Sequence, residues 1–417
     1  MGQRIGQTST AQGPNLREKA MELTEEEKAM LSGERGPALR RAMEIVWALG
    51  KIYGANGTVP VKSAQISGIS YKNIGEAGLD FLKKWASEGA KVRVPAMMNP
   101  AGMDLKRWKE MGIPEEFARK QLEVVETLAA MGVEPTLTCA PYLTRNRPEF
   151  GEHLAWSESS AVIFANSVIG ARTNREGGPS ALAAAIVGRT ACYGFHTEQG
   201  RKPSCFVEVA CPLKDEADFG ALGYLIGKKV GYKTPYIRLC GELPPLNKEL
   251  LLRAMGAAMA ASGSVSMFHI EGLTPEAEIF PAEGEQLTVD SLSEAYLALS
   301  NHMDEVDLIW IGCPHASPEE LELIASLVKG RKLSTRLWVT TSREIVGKAG
   351  KAVEVIEEAG GLVLSDTCLV VAPVEALGIK RVATNSAKAA FYLPSWAKVQ
   401  VAFAPLEECI TQYGGLR

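Results

Sequence analysis

Between Asp307 and Cys368 the chain alternates strand, helix, strand, helix, strand in five consecutive segments: DLIWIGC, SPEELELIASLVKG, RLWVTTS, SREIVGKAGKAVEVIEEAG and GLVLSDTC. The strand segments are short, continuous apolar runs, the pattern of strands covered on both faces. Ser317 and an acidic first turn open the first helix, where a capping hydroxyl and negative charge are favourable. Such a chain folds as a parallel sheet with helices on its faces, and RVATNSAKAAFYL adds one more strand and helix. The segment 301–417 therefore reads as a C-terminal parallel α/β domain.

In open parallel sheets ligands gather at the carboxyl ends of the strands, where loops lead into helix N-termini. Cys313 and Cys368 stand at two such ends, and Cys139 ends a third strand predicted over VEPTLTCAPYL. Cys139 and Cys313 are each followed by a proline turn, CAP and CPH. A lone buried cysteine is more often a small hydrophobe than a ligand. Three at strand ends beside polar residues make a second reading possible, because thiolates near helix N-termini are stabilised and bind iron. Three thiolates would leave one iron of a cluster open to substrate. His315 in GCPHAS is either an iron ligand, a hydrogen-bond donor or a turn histidine satisfied by backbone, and His153 in GEHLAWSESS carries the same alternatives.

Upstream, LTEEEK with Thr24 as cap starts a helical entry segment reaching Tyr53. A short strand is predicted over Val92 to Pro95, a helix from Pro114 to Gly132, and a small-residue helix from about Pro179 to Gly188. Before that last helix, GARTNREGGPS sets Arg172, Asn174 and Arg175 against the paired glycines Gly177 and Gly178. Guanidinium groups and the free amides of a helix start suit a phosphate or carboxylate; the alternative is a solvated basic turn. Ser386 and Lys388 open the helix in NSAKAAFY, and Ser70 lies in the turn-rich SGISYKNIGEAG.

At 417 residues the chain is long enough for two or three domains. A net charge of −4 and the lack of a long Lys/Arg block argue against nucleic acid as a partner. No run of about 18 apolar residues predicts a membrane span. Residues 1–20 are polar and read as a flexible extension rather than a secretory signal, so the cytoplasm is the expected location. Eight cysteines without a CxxC pair suit neither a disulfide scaffold nor a zinc ribbon.

Together SGISYKNIGEAG, VPAMMNPAGMD, TLTCAPYL, GEHLAWSESSAVIFANSVIGARTNREGGPSA, IGCPHAS, LSDTC and ATNSAKAAFY resemble the aconitase X family, in particular its archaeal branch, from about Met21 to about Ala404. The resemblance implies an aconitase-like fold of several α/β domains with parallel sheets around a central iron–sulfur site, with 21–300 as the aconitase-like region. It implies Cys139, Cys313 and Cys368 as metal ligands, holding a [4Fe–4S] cluster, with mononuclear iron or [2Fe–2S] as alternatives. The implied reaction is loss of water from (R)-5-phosphomevalonate to give trans-anhydromevalonate 5-phosphate, a step of archaeal isoprenoid formation. Ser386, Lys388 and His153 are the catalytic candidates, and Ser70, Asn166, Arg172, Asn174, Arg175 and Gly177 the candidates for holding the phosphorylated hydroxy acid. Too little chain follows Phe403 for the small swivelling domain of relatives, so a separate small subunit is expected to complete a heterodimer and supply a serine base. The alternatives are a cis-3-hydroxy-L-proline dehydratase of the same family, a non-catalytic iron-binding protein, and a metal-free binder of a phosphorylated ligand.

Overall fold

The computed structural model describes residues 21–282 and 284–417; the proposed flexible extension, 1–20, lies outside the described residues. Thr24 caps the first helix, Glu25–Ser32, in a reciprocal box: its hydroxyl accepts from Glu27 N at 3.3 Å while Glu27 Oε2 accepts from Thr24 N at 2.7 Å. That helix and Pro37–Ile52 pack beside a small parallel sheet ordered Ala96–Met98, Ala64–Ile66, Ala155–Trp156. The helix Gly178–Val187 is buried from Ala181 to Val187, as its run of small apolar residues requires.

A second parallel sheet has four strands, ordered His269–Ile270, Pro235–Leu239, Cys205–Val209 and Glu285–Val289. It carries the helices Glu216–Val230 and Lys248–Gly263, which approach so closely that a Cβ on Gly223 would lie 2.1 Å from Met255 O. Glycine is the residue that permits this contact.

The C-terminal sheet is parallel throughout, ordered Leu362–Ser365, Arg336–Thr341, Leu308–Ile311, Arg381–Thr384, Gln400–Phe403. Chain order runs outward in opposite directions from Leu308–Ile311, so the crevice between it and Arg381–Thr384 is the topological switch point. Leu308, Ile309, Trp310 and Ile311 are wholly buried, each aliphatic side chain contributing about 1.5–3 kcal/mol by leaving water. The last strand of this sheet, Gln400–Phe403, extends beyond the elements read from the sequence.

Several local expectations shift. The strand placed at Val92–Pro95 forms instead at Ala96–Met98. No regular strand leads to Cys139: Glu134 makes a single bridge to Met97, Pro135 lacks a donor, and Leu137 has φ 47°. A left-handed residue breaks the ladder, although Thr138 N still donates to Met98 O at 3.2 Å. The single helix expected over SREIVGKAGKAVEVIEEAG is two, Arg343–Lys348 and Gly350–Glu358, meeting at Ala349 with ψ 26°.

Candidate active site

One cavity of about 300 Å³ lies where the first and C-terminal domains meet, and Cys139, Cys313 and Cys368 all line it. Cys313 follows the strand Leu308–Ile311, and Cys368 follows Leu362–Ser365. Gly312, with φ 108°, lets the loop fold back over its neighbour; a Cβ there would sit 2.1 Å from Thr340 O. The polar end of GLVLSDTC fastens this loop to the first domain. Asp104 Oδ2 accepts from Ser365 N at 2.7 Å, Asp366 O accepts from Ala101 N at 2.8 Å, and Arg343 pairs with the Asp366 carboxylate.

His315 is buried between the loops, its Nδ1 3.1 Å from Thr138 Oγ1 and its Nε2 2.7 Å from Thr367 O. Burial pushes its pKa down to about 4 and leaves it neutral. Its amide donates to Cys139 Sγ at 3.2 Å.

Across the switch point, Ser386 caps the helix Ala387–Trp396 by accepting from Ala389 N at 3.1 Å. Lys388, on the first turn, reaches into the cavity and meets Glu158 Oε1 at 2.5 Å and Ser160 Oγ at 3.1 Å. Burial alone would raise the Glu158 carboxyl, but the Lys388 ammonium, with a 2.8 Å hydrogen bond from Asn99, holds it down at about 2. Burial opposes the charge on Lys388, and Glu158 together with the Cys313 and Cys139 thiols raises its pKa above the ordinary value. Hydrogen bonding from Cys368, followed by the field of Lys388, lowers the Cys313 thiol, while the same contact raises Cys368. Burial pushes Cys139 up to about 12.

The donor set fits an iron–sulfur group. Three thiols in one cavity are the ligands such a cluster takes, and the Lys388 cation favours their ionised form against the opposing field of Glu158. Among the described residues no three His, Cys, Asp or Glu side chains close on a single metal ion. Thr367 Oγ1, next to Cys368, and Asn99 Oδ1, in the cavity wall, are buried without a protein partner.

Ser70 and Arg175 line the same cavity. Ser70 Oγ donates to Val371 O at 2.7 Å, whereas the only protein acceptor for the Arg175 guanidinium among the described residues is Ala260 O at 3.4 Å. The structure does not bring the remaining candidates into the cavity wall. His153 stacks on His196, with their Nδ1 atoms 3.0 Å apart, and Arg172 reaches His196 O at 3.4 Å. Asn166 holds Thr173 O, Ser266 O and Thr173 N; Asn174 holds Tyr193 O and Phe195 N. Gly177 N donates to Ser180 Oγ at the helix start. These polar groups are engaged away from the cavity, mostly with backbone. Glu158, Asn99 and the aromatic rim of Tyr392 and Trp396 belong to the cavity instead. The pattern WSESS at the end of the strand Ala155–Trp156 was the available signal for Glu158, a carboxylate between hydroxyls where a helix begins.

Three family models cover nearly the whole chain: the aconitase X first domain matches residues 20–199, the second domain 203–296 and the third domain 306–414. The chain belongs to the aconitase X family. The crystal structure of Thermococcus kodakaraensis aconitase X in its holo-form superposes with a TM-score of 0.88 at 44% identity, covering 94% of this chain and 100% of that one. The phosphomevalonate dehydratase large subunit of Methanocaldococcus jannaschii is 50% identical over 94% of this chain and 99% of its own length. That of Methanothermobacter thermautotrophicus is 51% identical over 88% and 92%. A more distant aconitase X relative, the cis-3-hydroxy-L-proline dehydratase of Pseudomonas aeruginosa, is 34% identical over 92% of this chain but only 68% of its own length. No helix among the described residues is long and apolar enough to cross a membrane.

Proposed function

We propose that this chain is the large subunit of a phosphomevalonate dehydratase, eliminating water from (R)-5-phosphomevalonate to give trans-anhydromevalonate 5-phosphate. The observation that carries the reading is the single cavity shared by three cysteines, the buried Lys388–Glu158 pair and the Arg175 guanidinium. The high identity to archaeal large subunits supports this substrate over hydroxyproline. An iron–sulfur cluster held by Cys139, Cys313 and Cys368, taken as [4Fe–4S], supplies a Lewis acid for the departing hydroxyl when bound.

The chain's own residues set the field in which the elimination runs. The substrate loses a proton from the carbon between its carboxylate and its tertiary hydroxyl, and the hydroxyl leaves as water. Lys388, paired with Glu158, stabilises negative charge in the cavity. Glu158 is engaged by Lys388 Nζ, Asn99 Nδ2 and Ser160 Oγ. The base is assigned to a small subunit that covers the cavity mouth, where Tyr392 and the half-exposed Trp396 form a rim. The unmatched third of the bacterial relative, about one small domain in length, supports such a partner. Arg175 is assigned to the substrate phosphate or carboxylate, and Ser70 and Asn99 to the cavity's polar wall. A cytoplasmic heterodimer in archaeal isoprenoid formation completes the reading.

The test is anaerobic co-expression with a small subunit, followed by assay of the pair on phosphomevalonate and on cis-3-hydroxy-L-proline. Turnover of phosphomevalonate is expected; turnover of hydroxyproline alone overturns the assignment.

A further inference from the structure

We infer that His315 is a positioning residue, a strut that fixes the Cys139 loop relative to the Cys313 and Cys368 loops and so sets the triangle of thiols. The inference rests on the reading of those cysteines as cluster ligands. Cys313 and Cys368 are carried by one sheet, but Cys139 arrives from the first domain on an irregular segment. Only the isolated bridge between Ala101 and Thr367 and the Asp104 contact to Ser365 N tie the first domain to the Cys368 loop, and neither reaches the Cys139 segment itself, so its spacing depends on further cross-loop contacts.

His315 supplies them. Thr367 O can only accept, so the Nε2 atom 2.7 Å away carries the hydrogen. Nδ1 is then the acceptor, and Thr138 Oγ1, at 3.1 Å, is its donor. That hydroxyl in turn accepts from Ala140 N at 3.1 Å, leaving each polar atom of the chain in use. The neighbours joined are the residues immediately before Cys139 and Cys368, while the His315 amide donates to Cys139 Sγ itself. With both ring nitrogens engaged by protein atoms, the imidazole is a support for the ligands and is not one of them.

The strut is anchored from behind. Arg253 Nη1 donates to His315 O at 3.2 Å, and its guanidinium is gripped by the buried Glu320, with Glu216 Oε1 at 3.7 Å. Glu216 Oε2 also accepts from Asn385 Nδ2 at 3.2 Å, beside Ser386. The second domain thus braces both loops that flank the switch point. Groups that orient metal ligands without touching the metal are worth about 10–100-fold in metal affinity.

The test uses the full chain co-expressed with its small subunit under anaerobic conditions, as wild type and as His315→Leu, His315→Gln and Thr138→Val. Iron and sulfide content, the rate of iron release to a ferrous chelator and the electron paramagnetic resonance spectrum of the reduced cluster are measured. His315→Leu is expected to release iron about 10-fold faster or more and to shift the spectrum, and Thr138→Val to move the same way by less. His315→Gln, which can still donate to Thr367 O, is expected to return the spectrum towards wild type; a loss of packing alone predicts no such rescue. If His315→Leu does not fold, Thr138→Val, which removes one hydroxyl at nearly constant volume, decides. Wild-type release rates and spectra in the folded variants overturn the inference and leave the ligand reading intact. A wild-type chain that holds neither iron nor sulfide overturns both.

Discussion

Replacing Glu158 by glutamine leaves the Lys388 ammonium buried with three thiols and no counter-charge. The side chains are only 15% and 9% exposed, so solvent screens the pair weakly. A carboxyl whose pKa falls from 4.5 to about 2 on folding stabilises the native state by about 3 kcal/mol, within the range of about 3–5 kcal/mol for breaking a buried pair. Denaturant unfolding of the iron-free chain measures this in Glu158→Gln, Lys388→Met and the double variant. Each single change is expected to cost about 3 kcal/mol, and the double change less than their sum, with a coupling of about 2 kcal/mol or more. The depressed pKa also fixes the pH dependence. The contribution is complete above about pH 4.5 and is lost as pH falls through about 2, so the gap between wild type and Glu158→Gln stays flat near neutrality and narrows in acid. Additivity of the two single losses to within about 0.5 kcal/mol would refute the claim that the pair acts as a unit.

Arg175→Ala is expected to raise KM for a phosphorylated substrate about 10–100-fold, the worth of one charge-assisted hydrogen bond, while Arg172→Ala changes KM less than about 3-fold; steady-state kinetics on the heterodimer checks both. Gly312→Ala forces a Cβ to 2.1 Å from Thr340 O at φ 108° and is expected to cost about 3 kcal/mol and to lower iron content. Gly347→Ala, with nothing within 4 Å of its Cβ in an exposed helix, is expected to raise stability by about 0.5–1 kcal/mol; thermal melts compare the two.

The C-terminal sheet was legible because its signals are local: apolar runs, the Ser317 cap and the glycines Gly330 and Gly360 after two of the helices lie within a few residues of what they control. Cys313 and Cys368 followed from the rule for strand ends. The meeting of Cys139 with them rests on tertiary contacts, such as Asp104 to Ser365 N, that leave no trace in spacing. The polar stretch from Arg172 to Gly177 shows the opposite difficulty. Asn174 faces the backbone at Tyr193 and Phe195 while Arg175, one residue on, faces the cavity, and composition cannot separate the two. Glu158 was visible as a carboxylate among serines, but its importance comes from Lys388, 230 residues away in the chain. The helix break at Ala349 has no proline to announce it.

The central claim is that loops from two domains bring three thiols to one cluster. Iron and acid-labile sulfide are to be counted per chain after anaerobic purification, in wild type and in single serine variants of Cys139, Cys313, Cys368 and, as a control outside the cavity, Cys192. The account predicts that each of the first three variants loses the cluster while Cys192→Ser keeps it. Wild-type iron and sulfide in any of the three, or their loss from Cys192→Ser alone, would contradict it.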